Sequence, residues 1–198
     1  MRDAGPWLVA GLGNPGERYA RTRHNAGAMV VEELCAELGA RLRKVRLLPL
    51  FAAEARHRGE VLLLTAPGAF MNESGPPLAS FARRRGVGLD HVIACHDEID
   101  LPLGALRIKR GGSTAGHHGL DSMVLGLRSP DFYRVRLGVG RPRHREQNVD
   151  FLLEPFARSE LDAAGSLVRD AAEAVLSLVS DGLDATRGGY TRSGSERP

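Results

Sequence analysis

Polar side chains that can move protons lie in four short segments of this sequence. They are His24 in RTRHNAG, Asn72 in FMNESG, His96, Asp97 and Asp100 in CHDEID, and His117 and His118 in AGHHGL. The set offers imidazoles, carboxylates and an amide, with no thiolate or obvious serine among them. If the segments converge, this set suits a reaction in which water is the nucleophile.

A general base and its carboxylate partner are the first roles to assign. Neutral imidazole, with an ordinary pKa of about 6.5, accepts a proton from water at neutral pH, and a carboxylate on the other ring nitrogen fixes the tautomer. We assign these roles to His24 and Asp97, and we expect the Asn72 amide to hold the water or the developing oxyanion. On the residues alone, three alternatives stay open: a surface position for His24, a turn cap for Asp97 and a helix cap for Asn72.

The elements that precede these segments indicate where they meet. The apolar runs VLLLTA, HVIAC and ALRIK are typical of strands, and each is followed by one of the polar segments. In α/β sheets, ligands bind beyond the carboxyl ends of the parallel strands. We therefore expect Asn72, Asp97 and His117 to lie at one edge of a sheet, close to His24.

Strands alternate with helices through most of the chain. The patterns predict strands at 7–12, 48–55, 60–66, 91–95, 105–109 and 132–139, and helices at 26–38, 76–85, 119–127 and 159–181. This order predicts an α/β fold in which a mixed, mostly parallel sheet is flanked by helices. We expect a single domain over residues 1–187 and a disordered tail over residues 188–198.

The stretch GLGNPG, residues 11–16, has the glycine spacing of a dinucleotide-binding loop. Such a loop requires a helix that begins within the glycines and an acidic residue about 20 positions further on. Here residues 17–25 have no helical period, and Leu50 and Phe51 stand where the acid is needed. The stretch is therefore predicted to be a turn that leads to His24.

Charge is distributed unevenly along the chain. The net formal charge is +3, with basic clusters at 41–46, 83–85, 107–110 and 134–145 and an acidic segment at 159–184. This separation predicts a polyanionic partner. No signal-peptide pattern and no apolar run of bilayer length is present, and Cys35 and Cys95 lie in apolar settings. We expect a cytoplasmic protein with buried thiols and no membrane contact.

Five segments, in order and spacing, resemble the motifs of bacterial peptidyl-tRNA hydrolase. They are GLGNPGERYARTRHNAG, FMNESG, HDEIDLPLG, RIKRGGSTAGHHGL and RVRLGVGRP, and the similarity extends from Trp7 to about Leu183. The resemblance implies a phosphorylase/hydrolase-type sandwich that hydrolyses the ester between a peptide and the 3′-terminal ribose of tRNA. It also implies a monomer that uses no metal and no organic cofactor.

The resemblance assigns roles to the residues around the ester. His24 matches the general base, Asp97 matches the residue that orients this base, and Asn72 matches the residue that positions the water and the carbonyl. Asn14 matches the residue that recognises the peptide, which spares aminoacyl-tRNA with a free amine.

Further matches concern substrate binding. Tyr19 matches a substrate-contacting tyrosine, and Phe70 and Met71 match residues that line the cleft. Lys109 and Arg136 match a basic pair that clamps the tRNA 5′-phosphate beside the acceptor stem.

The segment AGHHGL departs from the family pattern. His117 and His118 are predicted to bind substrate, but His118 stands where the family usually has an asparagine that hydrogen-bonds the peptide backbone. A neutral imidazole has one donor and one acceptor, whereas an amide has two donors and an acceptor oxygen. We expect this contact to survive in part and to depend on pH. The preceding GGST also differs from the family's glycine-rich run.

Three other functions remain open on the sequence alone. A serine esterase is suggested by Ser113 in GGSTA, which nearly matches a nucleophile elbow, although no acid and histidine follow in the usual order. A metallohydrolase would use His96, Asp97, Asp100 and His117, although no standard ligand spacing is present. A non-catalytic RNA-binding relative of the same fold is the third alternative.

Overall fold

The computed structural model describes residues 5–190, which form a seven-stranded sheet with helices on both faces. In chain order the strands are β1 Trp7–Gly11, β2 Arg43–Lys44, β3 Leu50–His57, β4 Glu60–Pro67, β5 Val92–Glu98, β6 Leu106–Arg110 and β7 Tyr133–Gly138. The helices are α1 Ala26–Glu37, α2 Gly75–Arg84, α3 His118–Leu127, α4 Asn148–Leu153, α5 Leu161–Asp181 and α6 Leu183–Tyr190.

The strand order is β2-β3-β4-β1-β5-β7-β6. The four strands β4, β1, β5 and β7 run parallel, whereas β2 and β3 at one side and β6 at the other pair antiparallel with their neighbours. The predicted mixed α/β fold is confirmed. The carboxyl ends of the four parallel strands share one edge of the sheet, which is referred to below as the carboxyl edge.

The antiparallel direction of β6 corrects one step of the sequence argument. Leu106 pairs with Leu137 and Arg110 pairs with Tyr133, so β6 ends at the edge opposite to Asp97. The segment 111–117 therefore runs the length of the sheet in the opposite direction to β6 before it reaches the carboxyl edge. His117 is thus not a residue that directly follows a parallel strand.

Two apolar clusters hold the layers together. On one face, Val9, Ile93 and Val135 of the sheet pack with residues of α1 and α5, such as Leu34 and Val175. On the other face, alternating residues of β1, β4 and β5, such as Leu8, Leu63 and Ala94, pack with α2 and α3. Both faces of the central strands are covered, and all seven residues of β5 are buried. The residues at the carboxyl edge therefore extend from well-packed, buried strands.

The strands β3 and β4, which lie close to the predicted strands 48–55 and 60–66, form an antiparallel hairpin. Its turn places Arg58 at φ 47° and Gly59 at φ 90°, which are the left-handed conformations that a tight hairpin turn requires. The strand β2 and the helices α4 and α6 were not predicted from the sequence. Each is eight residues or shorter, so an apolar period has too few repeats to be recognised.

The C-terminal helix α6 extends to Tyr190. Residues 188–190 of the predicted disordered tail are thus helical, and the rest of that segment lies outside the described residues. Within residues 5–190, no helix combines the length and the apolar character needed to cross a membrane.

Candidate active site at the carboxyl edge

The start of α1 approaches β5 very closely. A Cβ atom on Gly27 would lie 2.0 Å from the carbonyl oxygen of Cys95, so only glycine permits this approach. The short helical turn Arg23–Asn25 precedes α1, and Asp97 lies two residues beyond Cys95. The close packing therefore brings His24 against Asp97.

His24 and Asp97 form a direct hydrogen bond. Nδ1 of His24 lies 2.9 Å from Oδ1 of Asp97, whose side chain is 2% exposed, while the His24 side chain is 12% exposed. An ionised carboxylate only accepts, so Nδ1 carries a proton and Nε2 of the neutral ring keeps its lone pair. His24 also lines the cleft at this edge. The geometry suits a general base.

His117 shares the same carboxylate oxygen. Its Nε2 lies 3.0 Å from Oδ1 of Asp97, and its Nδ1 accepts hydrogen bonds from the backbone N–H groups of Gly119 and Leu120 at 3.1 and 3.3 Å. His117 is therefore the N-cap of α3 and carries its proton on Nε2. Although His117 lines the cleft, both ring nitrogens already have protein partners, so the predicted substrate contact has no free ring nitrogen available.

The two imidazoles and burial have opposing effects on the pKa values of this cluster. Burial by itself raises the pKa of the Asp97 carboxyl, but His117 and His24 outweigh it and hold that pKa below its ordinary value. Burial likewise opposes protonation of His117, yet the Asp97 carboxylate prevails and the pKa of His117 is raised. Asp97 is thus an anion throughout the neutral range.

Asn14 is held by Asn25, the residue that follows His24 in the sequence. The Asn25 side chain accepts from the Asn14 N–H and donates to the Asn14 carbonyl, both at 2.9 Å. The Asn14 side-chain oxygen in turn accepts from the Met71 N–H at 2.9 Å. A Cβ on Gly13 would lie 2.9 Å from the Asn25 side chain. The glycine-rich turn therefore allows this amide network to form.

Phe70, Met71 and Asn72, the predicted site residues of the segment FMNESG, differ from one another in their exposure and in whether they line the cleft. Asn72 is exposed, lines the cleft and lies in the short turn Met71–Glu73, where it does not cap α2. Met71 is buried and also lines the cleft. Phe70 is 53% exposed and meets the Tyr19 ring edge-on, with ring centroids 6.4 Å apart. In the described chain, these two aromatic residues lie outside the lining of the cleft itself.

The cleft has a volume of about 500 Å³ and is covered on one side by α4. Its wall includes His118 on α3 and four residues of α4: Asn148, Val149, Leu152 and Leu153. Arg23, the neighbour of His24, fixes the end of α4. Its guanidinium bonds the Pro155 carbonyl at 2.9 Å and the Glu160 carboxylate at 2.7 Å, and it lies 4.1 Å from the Phe151 ring centroid.

Four cationic side chains share one face of β6 and β7, which we call the basic face. They are Arg107, Lys109, Arg134 and Arg136. They alternate with the apolar residues that enter the core, and Arg107 stands opposite Arg136 while Lys109 stands opposite Arg134. Lys109 and Arg136, predicted as a phosphate clamp, therefore belong to a larger cluster.

Arg134 is a structural member of this face that the sequence argument missed. It is completely buried, and its guanidinium donates to the carbonyls of Ser113 and Gly112 at 2.7 and 2.8 Å. It holds the segment 111–117 that carries His117. The RVR pattern at 134–136 indicates only positive charge. Arg134 and Arg136 are the same residue type, and only their surroundings in the folded chain distinguish them.

The rival sites find little support. The Ser113 hydroxyl accepts from the Ala115 N–H, and no imidazole is bonded to it among the described residues. The candidate metal ligands that come within 4.8 Å of one another in residues 5–190 are His24, Asp97 and His117. The metallohydrolase set is not assembled, since Asp100 pairs with Arg141 and Nδ1 of His96 bonds the Asp97 carbonyl at 2.7 Å.

Together, the mixed sheet and the imidazole–carboxylate pair beside the cleft suit a hydrolase. A model of the peptidyl-tRNA hydrolase family matches residues 8–196. The chain belongs to the peptidyl-tRNA hydrolase family.

Individual relatives agree over nearly the whole chain. A peptidyl-tRNA hydrolase of Kineococcus radiotolerans is 43% identical over 196 residues, which cover 94% of this chain and 96% of that protein. One from Frankia casuarinae is 45% identical over 186 residues, covering 94% of each. Among solved structures, peptidyl-tRNA hydrolase from Acinetobacter baumannii has a TM-score of 0.89 at 29% identity, covering 96% of this chain and 98% of that chain.

Proposed function

We propose that this protein hydrolyses the ester bond of peptidyl-tRNA in the cytoplasm, as a monomer, with His24 as the general base. The observation that carries the proposal is the hydrogen bond from Nδ1 of His24 to Asp97, which leaves Nε2 available beside the cleft. Family membership indicates the substrate class. The site residues supply the chemistry.

In the proposed reaction, Nε2 of His24 takes a proton from water while the water oxygen attacks the ester carbonyl. Asp97 stabilises the imidazolium that forms, because its carboxylate already accepts from the opposite ring nitrogen. The Asn72 amide donates to the tetrahedral oxyanion. As this intermediate collapses, the ribose oxygen leaves and receives the proton from His24, which restores the neutral base.

Substrate selection is assigned to two other regions. The Asn14 side-chain oxygen is held by the Met71 N–H, so its NH₂ group remains to recognise the peptide next to the ester. Lys109 and Arg136 bind the tRNA 5′-phosphate next to the acceptor stem. We expect Tyr19, Phe70 and His118 to contact the substrate, with His118 doing so from the wall of the cleft and the two aromatic residues from outside its lining. His117 acts on Asp97 and α3 rather than on substrate.

The decisive experiment compares an N-acetylated aminoacyl-tRNA with its unblocked counterpart. We expect rapid ester cleavage of the blocked substrate and sparing of the free amine. The Ser113→Ala variant serves as the matched control and should retain full activity, because the Ser113 hydroxyl has no base. RNA binding without cleavage would instead support the non-catalytic alternative.

A further inference from the structure

We propose that Glu98 is a positioning residue for tRNA binding, because it holds the Arg136 guanidinium in the orientation that receives the 5′-phosphate. This inference rests on the proposed function and extends it. Glu98 directly follows Asp97 at the end of β5. Successive side chains of a strand alternate between faces, so Glu98 reaches the basic face that Asp97 does not.

The contact between the two side chains is well defined. Oε2 of Glu98 accepts from Nε of Arg136 at 3.0 Å and from Nη2 at 2.8 Å. The Glu98 side chain is 9% exposed and that of Arg136 is 24% exposed. Charge-assisted hydrogen bonds of this kind fix the plane of a guanidinium as well as its position. The bonds to Glu98 engage Nε and Nη2 of Arg136 and not Nη1, so Nη1 can donate to a ligand.

The charges around Arg136 explain why the Glu98 carboxylate is needed to hold the Arg136 guanidinium in place. Glu98 is referred to below as the anchor of Arg136. Arg107 stands directly opposite Arg136 on β6, and Arg134 lies two residues away on the same face. Like charges placed directly opposite repel. Partial burial lowers the pKa of Lys109, and Arg136 and Arg134 lower it further, while Glu98 acts in the opposite direction. Without Glu98, repulsion would turn the long Arg136 side chain towards solvent.

The second oxygen of Glu98 connects the anchor to the backbone. Oε1 accepts from the Asp100 N–H at 3.3 Å, so the carboxylate is held at both oxygens. Glu98 also contributes to the wall of the cleft that contains His24. The residue thus sets the position of the phosphate-binding arginine relative to the general base.

The proposal differs from what charge alone predicts. Removal of a negative charge from a phosphate-binding face should strengthen tRNA binding in general. Removal of the anchor should instead weaken the particular contact with the 5′-phosphate. The two effects separate when tRNA with a 5′-phosphate is compared with the same tRNA after enzymatic dephosphorylation.

The test measures the affinity of deacylated tRNA with and without the 5′-phosphate for wild type and Glu98→Gln. We expect the ratio of the two affinities to fall by about tenfold in Glu98→Gln, since a charge-assisted contact is lost. With N-acetylated aminoacyl-tRNA, KM should rise while kcat stays close to that of wild type. A loss of folding alone does not produce this separation of KM from kcat.

Glu54→Gln is the matched control. Glu54 pairs with Arg85 on the exposed surface, so this variant loses the same charge and the same kind of partner away from the site. Its affinity ratio should equal that of wild type. As a second comparison, Glu98→Gln is added to Arg136→Ala, where it should have no further effect on the ratio, because Glu98 acts through Arg136.

Each outcome has a distinct meaning. An unchanged ratio in Glu98→Gln overturns the inference, and an increased ratio overturns it too, since Glu98 would then compete with the phosphate. A wild-type protein that binds tRNA with no preference for the 5′-phosphate also overturns it. The proposed function fails separately, if wild type leaves the N-acetylated aminoacyl-tRNA intact, whatever the binding ratios.

Discussion

The cluster around Asp97 and the basic face of β6 and β7 lie side by side but satisfy their polar groups in opposite ways. At Asp97, the imidazoles of His24 and His117 share one carboxylate oxygen. Both ring nitrogens of His117 are bonded within the protein, whereas Nε2 of His24 is available to solvent or substrate. On the basic face, four cations oppose one another across two strands. The first region is preorganised for proton transfer, whereas the second has charge that an anion from outside can neutralise.

This difference separates catalysis from affinity. A preorganised base changes the rate of the chemical step, and a face on which cations outnumber anions changes the strength and the salt dependence of binding. Substitutions in one region should therefore leave the measurement that belongs to the other nearly unchanged.

The largest effect is expected for His24→Ala. Removal of a general base should lower turnover of N-acetylated aminoacyl-tRNA by about 10² or more, because water must then be deprotonated without a positioned acceptor. Affinity for tRNA, measured by anisotropy, should stay within about twofold. A similar loss in affinity and turnover would show that the two regions are not separate.

Lys109→Ala and Arg136→Ala should each weaken tRNA binding by about tenfold and reduce the slope of log affinity against log salt by about one. Turnover at saturating substrate should remain close to that of wild type. Arg58→Ala, at the hairpin turn far along the sheet, removes an exposed cation as a control. Equal salt slopes in all three variants and wild type would contradict the phosphate clamp.

Asp97 should contribute to stability in a pH-dependent manner. Burial alone would raise its pKa, but His117 and His24 hold the folded-state pKa below the unfolded value near 3.8. A lowered folded-state pKa contributes stability that is complete above the unfolded pKa and is lost as the pH falls through the folded one. The free energy of unfolding of wild type, from urea titrations, should therefore fall below about pH 4.

Asp97→Asn has no carboxylate to protonate at this position. The free energy of unfolding of this variant should therefore vary less between about pH 4 and pH 2 than that of wild type. Asp131→Asn is the control, because Asp131 pairs with Arg110 at the exposed surface. Parallel pH curves for wild type and Asp97→Asn would mean that the buried carboxylate has no net favourable interaction with its imidazoles.

The smallest effect concerns the cap of α3. Asparagine is a good N-cap residue, so His117→Asn should keep the helix start, whereas His117→Ala should lower the free energy of unfolding by about 1 kcal/mol relative to it. Both variants lose the bond to Asp97 and should lose turnover by a similar factor of about tenfold or less. Full activity in His117→Asn would show that the cap, and not the bond to Asp97, is the role of this histidine.

The sequence predicted the parallel centre of the sheet and the pairing of His24 with Asp97. It succeeded there because apolar runs ended by polar residues are a local signal, and the carboxyl edge follows from topology. It did not indicate the hydrogen bonds of His117, which join a carboxylate from a distant strand and backbone groups of α3. It also could not distinguish Arg134 from Arg136, since burial of one and partial exposure of the other depend on what packs above the strand.

The reversed direction of β6 also sets a minimum length for the chain that follows it. Arg110 lies beside Tyr133, and Asp97 lies beside Leu137, so the chain must gain about four strand residues, or about 13 Å, before His117 can bond. Segment 111–117 thus acts as a tether. Extra residues would extend into solvent, whereas a deletion of four, which leaves three residues with a reach of about 10 Å, would separate the imidazole from its carboxylate while the sheet stayed intact. Natural variation in the length of this tether should therefore be limited on the short side only.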